Sequence, residues 1–214
     1  MTKKLLLAEL DARLTEAAQT PDTYDRVMGE YAVQCDCNEL ELELLDPIQW
    51  RRSADRVTLS RSNSLEQLFR ADVAAILPLD KEEETALARR IEFARVRLES
   101  ALERAGVDFE ELSPDNVDVE SVPLPSEALV RWREWHALRK EMVERNLFLV
   151  LLNLERYAHT RASRMDLIQE GASALRLEDV EDLRNVSRLH AFEQRCGVGD
   201  LAFSEVLRHL DEPG

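Results

Sequence analysis

The apolar residues of this chain fall mostly at helical spacing. Leu6, Leu10, Leu14 and Ala17 recur every three or four positions and predict an amphipathic helix over residues 4–18. Pro21-Asp22 breaks it, and a second helix is expected over residues 22–33. Both helices read as packed on their own domain, with partner-binding arms as the alternative. Between Glu39 and Leu44 the period changes, because Glu and Leu alternate strictly as in a strand. Arg56-Val57-Thr58-Leu59 is the expected mate across a turn at Asp46-Pro47, giving a small β-hairpin within residues 39–60. A frayed helix is the other reading of the same residues, since Glu and Leu both favour helix.

Helical spacing then returns. A helix is predicted from Ser64, ending before Leu77-Pro78. Asp80 with Glu83 three residues on forms a capping box for the next helix, a feature worth about 1 kcal/mol. That helix runs through Leu87, Ala88 and Ile91 and continues to Ala105. Asp115-Asn116, Pro123 and Pro125 place a loop near residues 106–126. Residues 126–157 then read as one long helix or a helix pair, with Leu129, Trp132, Trp135, Leu138 and Met142 as its buried stripe. The two tryptophans continue that stripe, so core packing is preferred over base stacking.

Composition agrees with a mostly helical chain. Its 214 residues include only 6 Gly and 7 Pro, with 44% hydrophobic and 33% charged residues. The net charge of −15 opposes autonomous DNA binding, which rests on cations meeting phosphates. It suits a protein that meets basic protein surfaces. The acidic alternating segment near Glu39 reads as a solvated face, with nucleic-acid mimicry or masking of a basic surface as the alternative. No apolar run reaches about 18 residues, so no membrane span is expected. The first residues have a basic start, but Glu9 and Asp11 interrupt the apolar stretch, against a signal peptide. Cys35, Cys37 and Cys196 form no disulfide framework, which fits a cytoplasmic protein. Neither a phosphate loop nor a nucleophile elbow occurs, and the four histidines are scattered. No enzymatic activity, catalytic residue, metal or cofactor is therefore expected.

The candidate site lies in Met165-Asp166-Leu167-Ile168-Gln169-Glu170-Gly171, read as a helix–turn junction. Asp166, Gln169 and Glu170 are spaced by three and four, so their polar heads share one helix face. Leu167 and Ile168 point the other way, into the fold. Carboxylates and an amide on one face, with the other face anchored, suit a partner's basic side chains.

At these residues the chain resembles the second conserved region of bacterial RNA polymerase sigma factors of the sigma-70 family. In that family an Asn-Leu-Arg-Leu-Val helix runs to a Tyr, and Asp-Leu-Ile-Gln-Glu-Gly follows. Asn146, Leu147, Leu149, Val150, Tyr157 and the six residues from Asp166 to Gly171 fit with the family's spacing. Upstream, Leu77, Leu79, Glu82 to Glu84 and Leu87 to Glu92 resemble the family's first conserved segment. After Gly171 the likeness thins. The family's Asn-x-Gly-Leu is replaced by Ala172-Ser173-Ala174-Leu175. Phe192 to Gly197 and Phe203-Ser204 echo later family motifs after about ten extra residues, and the family's subsequent aromatic cluster is absent.

The resemblance implies an all-α, sigma region-2-like helical domain over residues 64–214, preceded by an acidic extension over residues 1–63. Residues 64–92 and 127–205 are expected to pack together. It implies docking on the clamp helices of the polymerase largest subunit by Asp166, Gln169, Glu170, Leu167 and Asn146. Arg195, Phe203 and Arg208 are the candidate DNA-facing residues, with promoter contact only alongside polymerase. Three functions stay open at this point. The first is a sigma factor that directs or modulates promoter-dependent transcription. The second is a degenerate regulator that occupies the clamp helices without reading DNA. The third is an unrelated helical scaffold.

Overall fold

The structure, a computed structural model, describes residues 3–52, 64–107, 124–154 and 163–175. Among them the fold is mostly helical. Strand β1 (Lys3–Leu5) leads into helix α1 (Leu7–Ala17), a 3-10 turn at Pro21–Thr23 and helix α2 (Tyr24–Cys37). Strand β2 (Leu40–Leu42), the one-turn helix α3 (Pro47–Trp50) and helix α4 (Leu65–Ala74) follow. Three helices complete the described chain: α5 (Lys81–Ala105), α6 (Ser126–Leu154) and α7 (Arg164–Ala174). The described residues gather into two units, one from 1–45 with 81–140 and the other from 46–80 with 141–214. The division expected between residues 63 and 64 runs through the second of these.

In the first unit, α1 and α2 pack on α5. Leu10 and Leu14 of α1 are buried, as are Leu87, Ile91, Phe93 and Leu98 of α5, and Phe93 meets the Tyr31 ring of α2 with ring centres 5.6 Å apart. Each such side chain contributes roughly 1.5–3 kcal/mol by leaving water. The amphipathic stripe of α1 is offset from the expected one: Leu7 is buried and Leu6 is exposed. The cause lies in the preceding residues, which are strand rather than helix. Strand alternation sends Leu5 inward and Leu6 outward before the helix begins. Arg90 of α5 grips Asp11 of α1 through two hydrogen bonds, of 2.8 and 2.5 Å. Trp132, Trp135, Leu138 and Met142 are buried as the spacing predicts, whereas Leu129 is only half-buried.

The alternating Glu–Leu segment does form a strand, but its described mate is unexpected. β2 pairs in parallel with β1, Lys4 opposite Glu41 and Leu5 opposite Leu42. Arg56 to Leu59, the expected partner, lie outside the described residues. Asp46-Pro47 also does not make a hairpin turn. The Asp46 carboxylate accepts a hydrogen bond from the Ile48 N–H at 3.0 Å and caps α3, with Pro47 at its first position.

The second unit is built on α3, α4, the end of α6, and α7. Ser64 caps α4 in a reciprocal box. Its hydroxyl accepts from the Gln67 N–H at 3.3 Å, and its own N–H donates to the Gln67 side chain at 3.1 Å. After α3 the chain bridges Arg51 to Ile76, and the Arg52 N–H donates to the Ala75 carbonyl at 2.7 Å. Trp50 is buried beside two guanidinium groups, Arg51 at 5.3 Å and Arg145 at 6.0 Å from its ring centre. Val150, Leu154 and Ile168 form the apolar centre, with Phe69, Met165, Leu167 and Leu175 packed against it.

Candidate functional site

The Met165–Gly171 stretch lies wholly inside α7, not at a helix–turn junction. The helix continues through Gly171 to Ala174. Ser163 starts it: its hydroxyl accepts from the Asp166 N–H at 3.1 Å, and its carbonyl accepts from the Leu167 N–H. The exposed Asp166 then sits in the first turn, where a negative charge complements the helix dipole.

The two faces of α7 separate as the spacing requires. Asp166, Gln169 and Glu170 are all exposed. Ile168 is 3% exposed, and Leu167 and Met165 are half-buried beside it in the apolar centre. Leu167 is therefore an edge residue, partly available to a partner and partly holding the helix. Helix α7 packs on α4, and Arg164 donates to Glu66 of α4 at 3.0 Å. An outward row of one amide and two carboxylates, on a helix fixed from behind, can accept several hydrogen bonds from guanidinium groups.

Asn146 is placed differently. It is half-buried on α6, and its amide donates back to the Met142 carbonyl at 3.0 Å, one turn earlier on the same helix. Its Nδ2 is 3.4 Å from the Met142 sulfur as well. Tyr157, Arg195, Phe203 and Arg208 lie outside the described residues.

Sequence reasoning missed a buried ionic cluster in the first unit. Arg97 of α5 is fully buried, its Nε donating to Asp36 at 2.8 Å and its Nη1 to Glu134 at 3.4 Å. Arg131 of α6 binds both Glu134 oxygens at 2.9 and 2.8 Å and lies 3.4 Å from Asp36. Arg97 and Arg131 face Asp36 and Glu134, and Arg104, 3.9 Å from Asp36, adds a third and more exposed guanidinium at the edge. A signal for it was present. Arg97 sits four residues after Phe93 and four before Ala101, both buried, and Glu134 neighbours Trp135 on its buried side. A charge at an apolar stripe position calls for a buried partner.

Other groups of this unit are perturbed as well. Burial pushes the Tyr24 hydroxyl up to about 12, and burial also raises the Cys35 thiol. His136 stacks on Trp132 with ring centres 4.6 Å apart. Its burial, together with the cations of Lys140 and Arg139, lowers its pKa. Among the described residues no cluster of His, Cys, Asp or Glu is arranged to hold a metal ion, and no helix is long and apolar enough to cross a membrane. No protein-family model, curated protein or solved structure matches the chain.

Proposed function

We propose that this chain is a sigma-factor-type protein that binds core RNA polymerase and directs or modulates promoter-dependent transcription. The α7 face of Asp166, Gln169 and Glu170 docks on arginines of the clamp helices in the polymerase largest subunit. One observation carries the reading. The six residues that resemble the family's docking motif keep their polar side chains exposed while Ile168 anchors the helix. Close interfacial charge pairs couple by roughly 1.5–7 kcal/mol, so the two that Asp166 and Glu170 offer dominate such an interface.

The excess of acids favours a second form of the same reading. With a net charge of −15, the chain opposes phosphate on its own. A regulator that occupies the clamp helices without reading promoter DNA fits that charge better than a factor that opens promoters.

Affinity capture of purified core polymerase by the full chain tests the proposal. Wild type is retained and the Asp166→Ala, Gln169→Ala double variant is not. Absence of capture by wild type removes the proposal, and undiminished capture by the double variant removes the α7 surface. Run-off transcription then separates the two forms: product formation with core enzyme indicates initiation, and inhibition of a resident sigma factor indicates occupancy alone.

A further inference from the structure

Helix α7 begins with a cation, which its own dipole disfavours at that end. Glu66 of α4 answers it. Its Oε1 accepts from Arg164 Nη1 and from Arg70 Nε, each at 3.0 Å. The Glu66 side chain is 22% exposed, so this contact is partly shielded from water.

Successive helix residues are rotated by about 100°, so Arg164 shares a side of α7 with Ile168 and stands opposite Asp166, Gln169 and Glu170. Contacts around Ile168 are apolar and non-directional, so they specify the helix's rotation less sharply than a hydrogen bond does. The carboxylate–guanidinium contact one turn before Ile168 is directional and adds a constraint on that rotation. We infer that Glu66 is a positioning residue for the docking face: by holding Arg164 it sets the rotation at which the three polar side chains project together. The inference rests on the docking role proposed for α7.

The test uses the full chain with Glu66→Gln, Arg164→Gln, their combination and Arg164→Lys. Two readouts are taken, affinity for immobilised core RNA polymerase and hydrogen exchange of the α7 amides. Positioning cannot contribute more than the pair's own coupling, so each single Gln variant raises Kd about two- to fivefold. The combination is no weaker than the poorer single variant, and Arg164→Lys recovers most of the affinity. In Glu66→Gln the α7 amides exchange faster while those of α5 are unchanged.

Wild-type affinity in Glu66→Gln overturns the inference, whatever the exchange shows. Additive losses in the combination overturn it as well, because the two residues then act separately. If the wild type itself binds no polymerase, the docking reading has failed. Unaltered α7 exchange in Glu66→Gln would then dismiss the clamp on its own account.

Discussion

The Glu134 carboxylate on α6 accepts the backbone N–H of Leu42 on β2 at 2.6 Å. The Glu43 N–H reaches back to the Leu5 carbonyl, so odd-numbered residues of this strand face β1 and Leu40 and Leu42 face away. The Leu40 carbonyl accepts from Arg97, and the Leu42 N–H is taken by Glu134. Side chains of two helices thus pair with two of the outward backbone groups of β2, in the place a third strand would take. That explains why charges sit in the core: they close a two-stranded sheet too small to be stable alone.

Breaking this cluster from one side is costly. Glu134→Ala frees a backbone N–H and leaves Arg97 and Arg131 short of a counter-charge. We expect a loss of about 3–5 kcal/mol, read from urea unfolding. A change below about 0.5 kcal/mol is the size of a surface substitution and contradicts the arrangement.

Tyr24 gives the opposite sign. Its hydroxyl is buried with no hydrogen-bond partner among the described residues. Tyr24→Phe removes an unsatisfied polar group and keeps the ring, so stability rises by about 1 kcal/mol. The folded pKa of about 12 exceeds the ordinary value of 10.0. The wild-type contribution is present below that ordinary value and is lost as pH rises through the folded one. Tyr24→Phe abolishes this alkaline component in unfolding midpoints measured across that range.

His136 gives an acid-side dependence. Its folded pKa lies below the ordinary 6.5, so the unfolded chain binds the proton more readily. Stability from the neutral imidazole is complete above 6.5 and falls as pH drops towards the folded value. Thermal unfolding at about pH 7.5 and about pH 5.5 tests this against His136→Gln. The wild type loses more on acidification than the variant, and equal losses contradict the assignment.

If α7 docks on core polymerase as proposed, its two faces separate stability from binding. Asp166→Ala changes unfolding by no more than about 0.5 kcal/mol, since its side chain is exposed. It weakens capture of core polymerase at least about tenfold. Ile168→Ala behaves differently, because the side chain is buried among Val150 and Leu154. It destabilises the second unit by about 2–5 kcal/mol, measured by denaturant unfolding.

Helical periodicity in the sequence determined most of the elements by itself. Where a segment's own residues decide the outcome, as in the helix that starts after Ser64, the long stripe of Trp132, Trp135 and Leu138, and the two faces around Ile168, the reading and the structure agree. Helix formation is local, so spacing of three and four is enough to assign a face. Tertiary structure alone decided the mate of β2, because strand pairing uses backbone groups that every residue carries. Leu5-Leu6-Leu7 could enter the core in either of two phases, and pairing with β2 selected the one that buries Leu5 and Leu7. It also decided the partners of Arg97 and Glu134. Their charge is written in the sequence, but the charged groups that neutralise it come from three separate helices, with β2 adding backbone partners, and only packing brings those together.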